Sequence, residues 1–192
     1  MEHINLISWA KSASSLIAVA AGREPADLVI QNCCWVNVHT REILPNSNIA
    51  IKNGRFAYCG PEILHCIGDN TEIVNAEGRF AVPGFCDAHM HIESGMLTPG
   101  QFAHAVMAHG TTSMFTDPHE IANVLGLEGV RLMHDEAIIQ PINIFTQMPS
   151  CAPSAPGLET TGFEISPIDV EEAMKWPGII GLGEMMNFPS II

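Results

Sequence analysis

Basic residues are scarce in this chain: 8 lysines and arginines stand against 21 aspartates and glutamates, a formal charge of −13 over 192 residues. So acidic a surface repels phosphate backbones and anionic headgroups, which excludes nucleic acid and membrane surfaces as expected partners and favours a metal cation or a small neutral or cationic molecule. Long apolar runs are missing too. The run from Ser14 to Ala21 is too short to span a bilayer. It follows a polar start at helical spacing, with no clean small-residue cleavage site, and reads as a helix in an amino-terminal segment 1–26, not as a secretory leader. The six cysteines, Cys33, Cys34, Cys59, Cys66, Cys86 and Cys151, form no Cys-x-x-Cys pair and no zinc-ribbon spacing. Reduced thiols in a cytoplasmic protein are the expectation.

Several catalytic signatures are absent as well. His119-Glu120 starts like the His-Glu-x-x-His protease helix, but Asn123 stands where the second histidine is needed. His91-Ile92-Glu93 matches the His-x-Glu of the zinc nucleobase deaminases, yet no Pro-Cys-x-x-Cys follows. Gly181-Leu182-Gly183 lacks the third glycine of a dinucleotide loop, and neither a P-loop nor a Gly-x-Ser-x-Gly elbow occurs.

What is present is enough apolar sequence, 47%, to bury a core, arranged in two patterns. Residues 27–82 read as short strands between turns: one from Asp27 to Asn32, another alternating from Cys34 to His39, and a hairpin from Ile49 to Cys59 turning at Asn53-Gly54. A further strand starts at Glu72. From residue 83 the pattern becomes strand, helix, strand, helix. Strands are expected over Val82–His89, Gly110–Asp117, Pro141–Met148 and Gly178–Met185. The helices between them are expected over Thr98–His109, with a stripe of Phe102, Ala105, Val106 and Ala108, over Ile121–Ile139, and from the Ser166-Pro167 start through Trp176. Such alternation means parallel strands with crossover helices. Four units are half of an eight-stranded barrel, which takes about 250 residues. The expected fold is therefore α/β: the first half of a (β/α)8 barrel, residues 83–192, preceded by a β-sandwich segment and truncated.

In a parallel β/α sheet the chemistry sits at the carboxyl ends of the strands. The first strand ends in Pro83-Gly84-Phe85-Cys86-Asp87-Ala88-His89-Met90-His91. Alternate residues of a strand share a face, so His89 and His91 can grip one divalent ion from the same side. Glu93 follows closely. The second strand ends in Asp117-Pro118-His119-Glu120, which also reads as a helix start with Asp117 as cap and Pro118 in the first position. The fourth ends at Glu184, a carboxylate on a buried strand that needs a metal or a cation to offset desolvation. The third ends in a proline-rich loop through Cys151, Pro153 and Pro156, of the kind that covers substrate. His104, His109 and His134 fall on helices and read as surface or packing residues.

The Pro-Gly-x-x-Asp-x-His-x-His block ending at His91 resembles the amidohydrolase superfamily. The stretches 26–30, 91–99, 109–112, 116–124 and 181–189 resemble, more narrowly, the bacterial-type adenine deaminases. That resemblance covers nearly the whole chain. It implies a metal-bearing (β/α)8 barrel with a composite β-sandwich, and hydrolysis of adenine to hypoxanthine and ammonia. It implies manganese, iron or zinc, with two ions in the complete fold. It places metal ligands on His89, His91 and Glu184, with Glu184 replacing the bridging carboxylated lysine of many relatives. Asp117, His119 and Glu120 match the family's second-strand block and are carried as site residues. From the chemistry of the residues present, Glu184, Glu120 and Asp117 are the catalytic candidates, Glu120 as the proton carrier, with His119 and Glu93 near the substrate or behind the ligands. The family's further histidines on the fifth and sixth strands and its aspartate on the eighth have no counterpart here. The isolated chain is thus expected to be inactive, or to associate with itself or with a complementing carboxy-terminal fragment. The alternative is a non-catalytic remnant that at most binds metal. A dihydroorotase-like or deacetylase-like hydrolysis is a weaker third reading, which the Glu184-Met185-Met186 block disfavours.

Overall fold

The computed structural model describes residues 9–187. The start of the 1–26 segment and the last five residues of the chain, 188–192, lie outside the described residues. The chain divides into two compact units between Pro83 and Gly84.

The first unit is a helix on a mixed sheet. Helix α1 (Trp9–Ala20) is followed by β1 (Leu28–Asn37), β2 (Glu42–Lys52), β3 (Arg55–Gly60), β4 (Glu72–Asn75) and β5 (Phe80–Ala81). The order is β3-β2-β1-β4, with β5 also on β1. Strands β1, β2 and β3 pair antiparallel, and β4 and β5 run parallel to β1. Asn53 (φ 52°) and Gly54 (φ 69°) both take the left-handed conformation that a two-residue turn needs, so the expected hairpin forms there. The two strands expected at 27–32 and 34–39 are instead one. β1 runs through, with register shifts at Ile30/Cys33 and Cys33/Trp35. Asn32, at φ 56°, absorbs the bend, and its N–H finds the Asn48 side chain at 3.0 Å in place of a ladder partner. Val19 of α1 packs with Ala26, Val29, Ala50, Ile63 and Cys66, so the helix belongs to this unit's core.

The second unit is a four-stranded parallel sheet in chain order: β6 (Phe85–Met90), β7 (Thr111–Thr116), β8 (Asn143–Met148) and β9 (Ile179–Leu182). Crossovers run through α2 (Pro99–Met107), α3 (His119–Ala137) and α4 (Pro167–Ala173). Right-handed crossovers between strands that follow chain order put every helix on one side of the sheet, which is the arc of a barrel. On that side Met114, Ile144 and Met148 are buried beneath Ala103, Val130, Met133, Ala137 and Trp176. The alternate residues Ser113, Phe115, Asn143 and Phe145 stay half-buried on the other face. Gly84 lets β6 approach β7 closely, since a Cβ there would lie 1.9 Å from Thr112 Oγ1.

Three expectations are corrected. The buried stripe of α2 is Pro99, Phe102, Ala103 and Val106, whereas Ala105 and Ala108 are exposed, because the helix rotates its 3.6-residue face by one position. Helix α3 begins at His119 and breaks at Gly126 (φ 62°, ψ −143°), so His119 and Glu120 lie in its first turn. Asp117 does not cap it: Pro118 holds the cap position without a side-chain bond, and the Asp117 carboxylate turns elsewhere. The Ser166-Pro167 start of α4 is as expected, with Ser166 and Asp169 in a reciprocal capping box. Among the described residues no helix is long and apolar enough to cross a membrane.

Candidate metal centre

The carboxyl ends of β6, β7 and β9 converge. His89 lies on β6 and His91 follows it in extended backbone (φ −113°, ψ 101°), so both rings leave the same face. Their Nε2 atoms are 3.2 Å apart, with the rings edge-on at 82°. Glu184, two residues past β9, brings Oε1 to 3.1 Å from His91 Nε2 and 3.6 Å from His89 Nε2.

Donors that share a divalent ion at about 2.0–2.2 Å lie about 3.3–3.6 Å apart at tetrahedral angles and about 3 Å apart at right angles. The three donor atoms meet that test. Two imidazole nitrogens and a carboxylate also form a donor set suited to first-row divalent metals. The side chains of His89, His91 and Glu184 keep 39%, 22% and 39% of their surface exposed, which leaves room on the open side for further ligands and a substrate.

Two more carboxylates flank the histidines. Glu120 Oε2 is 3.3 Å from His91 Nδ1, and the Ser94 hydroxyl donates to the Glu120 carboxylate. Burial works against ionisation of Glu120. The Ser94 bond, its own helix amide and His91 outweigh that and hold its pKa below the usual value. Glu93 behaves oppositely. Burial first, and then the facing Glu120, push its pKa up, although the Ile121 N–H donates to its Oε1 at 3.4 Å. Two carboxyls of unlike proton affinity therefore lie side by side behind His91.

Asp117 and His119 are buried on the other side of Glu184. Asp117 has no exposed surface; its Oδ2 accepts the Glu184 N–H at 2.7 Å, and its Oδ1 lies 2.7 Å from His119 Nδ1. Burial alone would depress the His119 pKa, but the Asp117 bond and charge, helped by Cys151, raise it to about 9. Cys151 Sγ is 3.7 Å from His119 Nε2. Burial opposes the Cys151 thiolate, yet His119 and the Met186 and Asn187 amides bring its pKa below the ordinary thiol value. Donor atoms of Asp117, His119 and Glu184 also fall within 4.8 Å of one another.

All seven residues singled out from the sequence thus lie in one cluster. The converging set is His89, His91 and Glu184, with Glu93 and Glu120 on one flank and Asp117 and His119 on the other. Ser94, Ser150 and Cys151 complete it and carried no motif. Ser150 and Cys151 do follow the end of β8, the same strand-end position that marked the others. A cavity of about 430 Å³ opens beside the centre between the loop after β8, the start of α4 and the end of β9. Its walls include Ser150, Cys151, Pro153, Val170 and Met185, but none of the three converging residues.

Residues 80–184 match the amidohydrolase family. The adenine deaminase of Ruegeria pomeroyi is 70% identical over 191 residues, an alignment that covers 100% of this chain and 32% of that protein. The adenine deaminase of Moorella thermoacetica is 53% identical over 183 residues, covering 95% of this chain and 30% of its own length. The chain therefore spans about a third of the length of the curated relatives it matches. Among solved structures, the atrazine chlorohydrolase TrzN from Arthrobacter aurescens, complexed with zinc, superposes with a TM-score of 0.58 at 13% identity, over 81% of this chain and 46% of its own. A dihydroorotase gives 0.51 at 18% identity, over 81% and 41%. At such identities these two establish the fold alone.

Proposed function

The chain belongs to the amidohydrolase family, and we propose that its polar cluster is part of the centre of a metal-dependent enzyme that hydrolyses adenine to hypoxanthine and ammonia. The observation that carries this reading is the convergence of His89 Nε2, His91 Nε2 and Glu184 Oε1 within 3.1–3.6 Å of one another. The 70% identity to an adenine deaminase supports the choice of substrate.

In this reading His89, His91 and Glu184 hold the metal, manganese in the first instance and iron or zinc as substitutes, in a centre that takes two ions when complete. When bound, the metal supplies Lewis-acid activation of water, whose pKa falls toward roughly 7. Glu120, kept ionised by Ser94 and His91, accepts the proton that water loses. It returns that proton to a ring nitrogen or to the leaving amine, so that water and adenine become hypoxanthine and ammonia with no other reactant. Glu93, which holds a proton more readily, lies behind Glu120 as a second carrier. His119 supports the centre from behind Glu184. The cysteines are all unpaired, which suits a reducing, cytoplasmic setting.

The test is adenine-dependent ammonia release by the manganese-loaded chain together with a carboxy-terminal fragment that supplies the family's remaining barrel strands, beside the same pair carrying a His89→Ala, His91→Ala double variant. Turnover in the first and none in the second is the expected result, with metal content falling in parallel. A folded, metal-loaded pair that leaves adenine untouched would overturn the substrate assignment. Unchanged metal content in the double variant would overturn the ligand assignment.

A further inference from the structure

Glu184 lies beyond the sheet. The last β8–β9 pair is Met148 with Leu182, and the final ladder-like bond is Gly183 N–H to Met148 C=O at 2.7 Å. From there the strand's own pairing no longer fixes the chain. A backbone N–H or C=O without a ladder partner bonds to water or to another group, and here side chains take that place. The Glu184 N–H donates to Asp117 Oδ2 at 2.7 Å. The Glu184 carbonyl accepts from the Ser150 hydroxyl at 2.6 Å. Two residues on, the Met186 N–H donates to Cys151 Sγ at 3.2 Å.

We infer that Asp117 and Ser150, from the ends of β7 and β8, are positioning residues that clamp the backbone of Glu184 and so set its carboxylate against His89 and His91. The inference rests on the metal-centre reading above and deepens it. Both oxygens of Asp117 are already engaged, one with the Glu184 N–H and one 2.7 Å from His119 Nδ1. The side chain has no exposed surface, so it neither faces the open side of the centre nor touches a substrate there. This gives Asp117 a positioning role in place of the catalytic one expected from the sequence. Gly183 supports the same conclusion, because a Cβ there would stand 2.0 Å from Asp117 Oδ2. The carboxylate can reach the Glu184 N–H only across a residue without a side chain. Groups that hold a metal ligand in place commonly matter about 10- to 100-fold in metal affinity, and the clamp belongs to that class.

The experiment is Mn2+ titration of the metal-free intact protein, with the Co2+ absorption spectrum as a second readout. Ser150→Ala removes one half-exposed hydroxyl and leaves the core intact, so it is the primary variant. Asp117→Asn is the second, Ser150→Thr the conservative rescue, and His89→Ala the control for the centre itself. Ser150→Ala should weaken Mn2+ binding about 10-fold or more and shift the Co2+ bands, Asp117→Asn should do the same, and Ser150→Thr should restore both. Wild-type affinity and an unaltered spectrum in Ser150→Ala and Asp117→Asn, with binding lost in His89→Ala, would overturn the clamp and leave the metal centre standing. Wild-type affinity in His89→Ala would overturn the metal centre and the clamp with it.

Discussion

Glu184 is held by its backbone and not by packing, and that distinction governs what single substitutions do. Gly183→Ala adds a Cβ that would meet Asp117 Oδ2 at 2.0 Å, so Asp117 must withdraw and the Glu184 N–H loses its acceptor. Overpacking of this kind costs about 1–3 kcal/mol, and the expected outcome is a lower melting temperature with weaker Mn2+ binding. Gly181→Ala, where nothing lies within 4 Å, is the matched control and should be silent in both assays. Equal Mn2+ affinity in the two variants would contradict this account. Strand parity made the shared face of His89 and His91 legible in the sequence. The burial expected of Glu184 is not found, since its side chain is 39% exposed beyond a half-exposed strand, so its strand-end position and not a desolvation cost was the sound signal. Ser150 was not legible, because it acts on a main-chain group, and a main-chain partner leaves no mark on residue spacing; Cys151 was named only as part of the loop after the third strand, not for its contact with His119. Asp117 was legible as polar and strand-terminal, but capping and clamping use the same residue type.

Elements were most legible where local chemistry alone decides them. The Asn53-Gly54 turn and the Ser166/Asp169 capping box need no tertiary information. The continuity of β1 needed it, since its bend at Asn32 is resolved by Asn48, 16 residues away. The same holds for the first turn of α3, whose start Pro118 was expected to mark but Asp117 does not cap. The α4 box gives a prediction with a pH sign. The Ser166 hydroxyl and amide lower the Asp169 pKa below its ordinary value. A carboxylate with a depressed folded-state pKa contributes stability above its unfolded value, near 3.9, and loses it as pH falls through the folded value. Ser166→Ala should therefore destabilise by about 1 kcal/mol at neutral pH. In thermal melts the difference from wild type should narrow below about pH 4, where Asp169 takes up its proton in both proteins. A difference that stays constant from pH 7 to pH 3 would count against an ionised Asp169 in the box.

At the scale of the whole molecule, the alternation of strands and helices after residue 83 was the readable signal, since only parallel strands with crossovers satisfy it. The arc shape then follows from chain-order strands and right-handed crossovers. The division between Pro83 and Gly84 has an energetic counterpart. Each buried cluster draws its residues from one unit: Val19, Val29 and Ala50 from the first, Met114, Met133 and Ile144 from the second. A cavity should therefore weaken the unit whose cluster contains it. Val29 and Met114 are both fully buried. Val29→Ala should cost about 1–3 kcal/mol and speed amide hydrogen exchange in β1, β2 and β3. Met114→Ala should cost about 2–5 kcal/mol and speed exchange in β7, β8 and α3. Exchange that rises uniformly along the chain in both variants would mean that the two clusters unfold as one cooperative core, and the division at Pro83/Gly84 would then carry no energetic meaning.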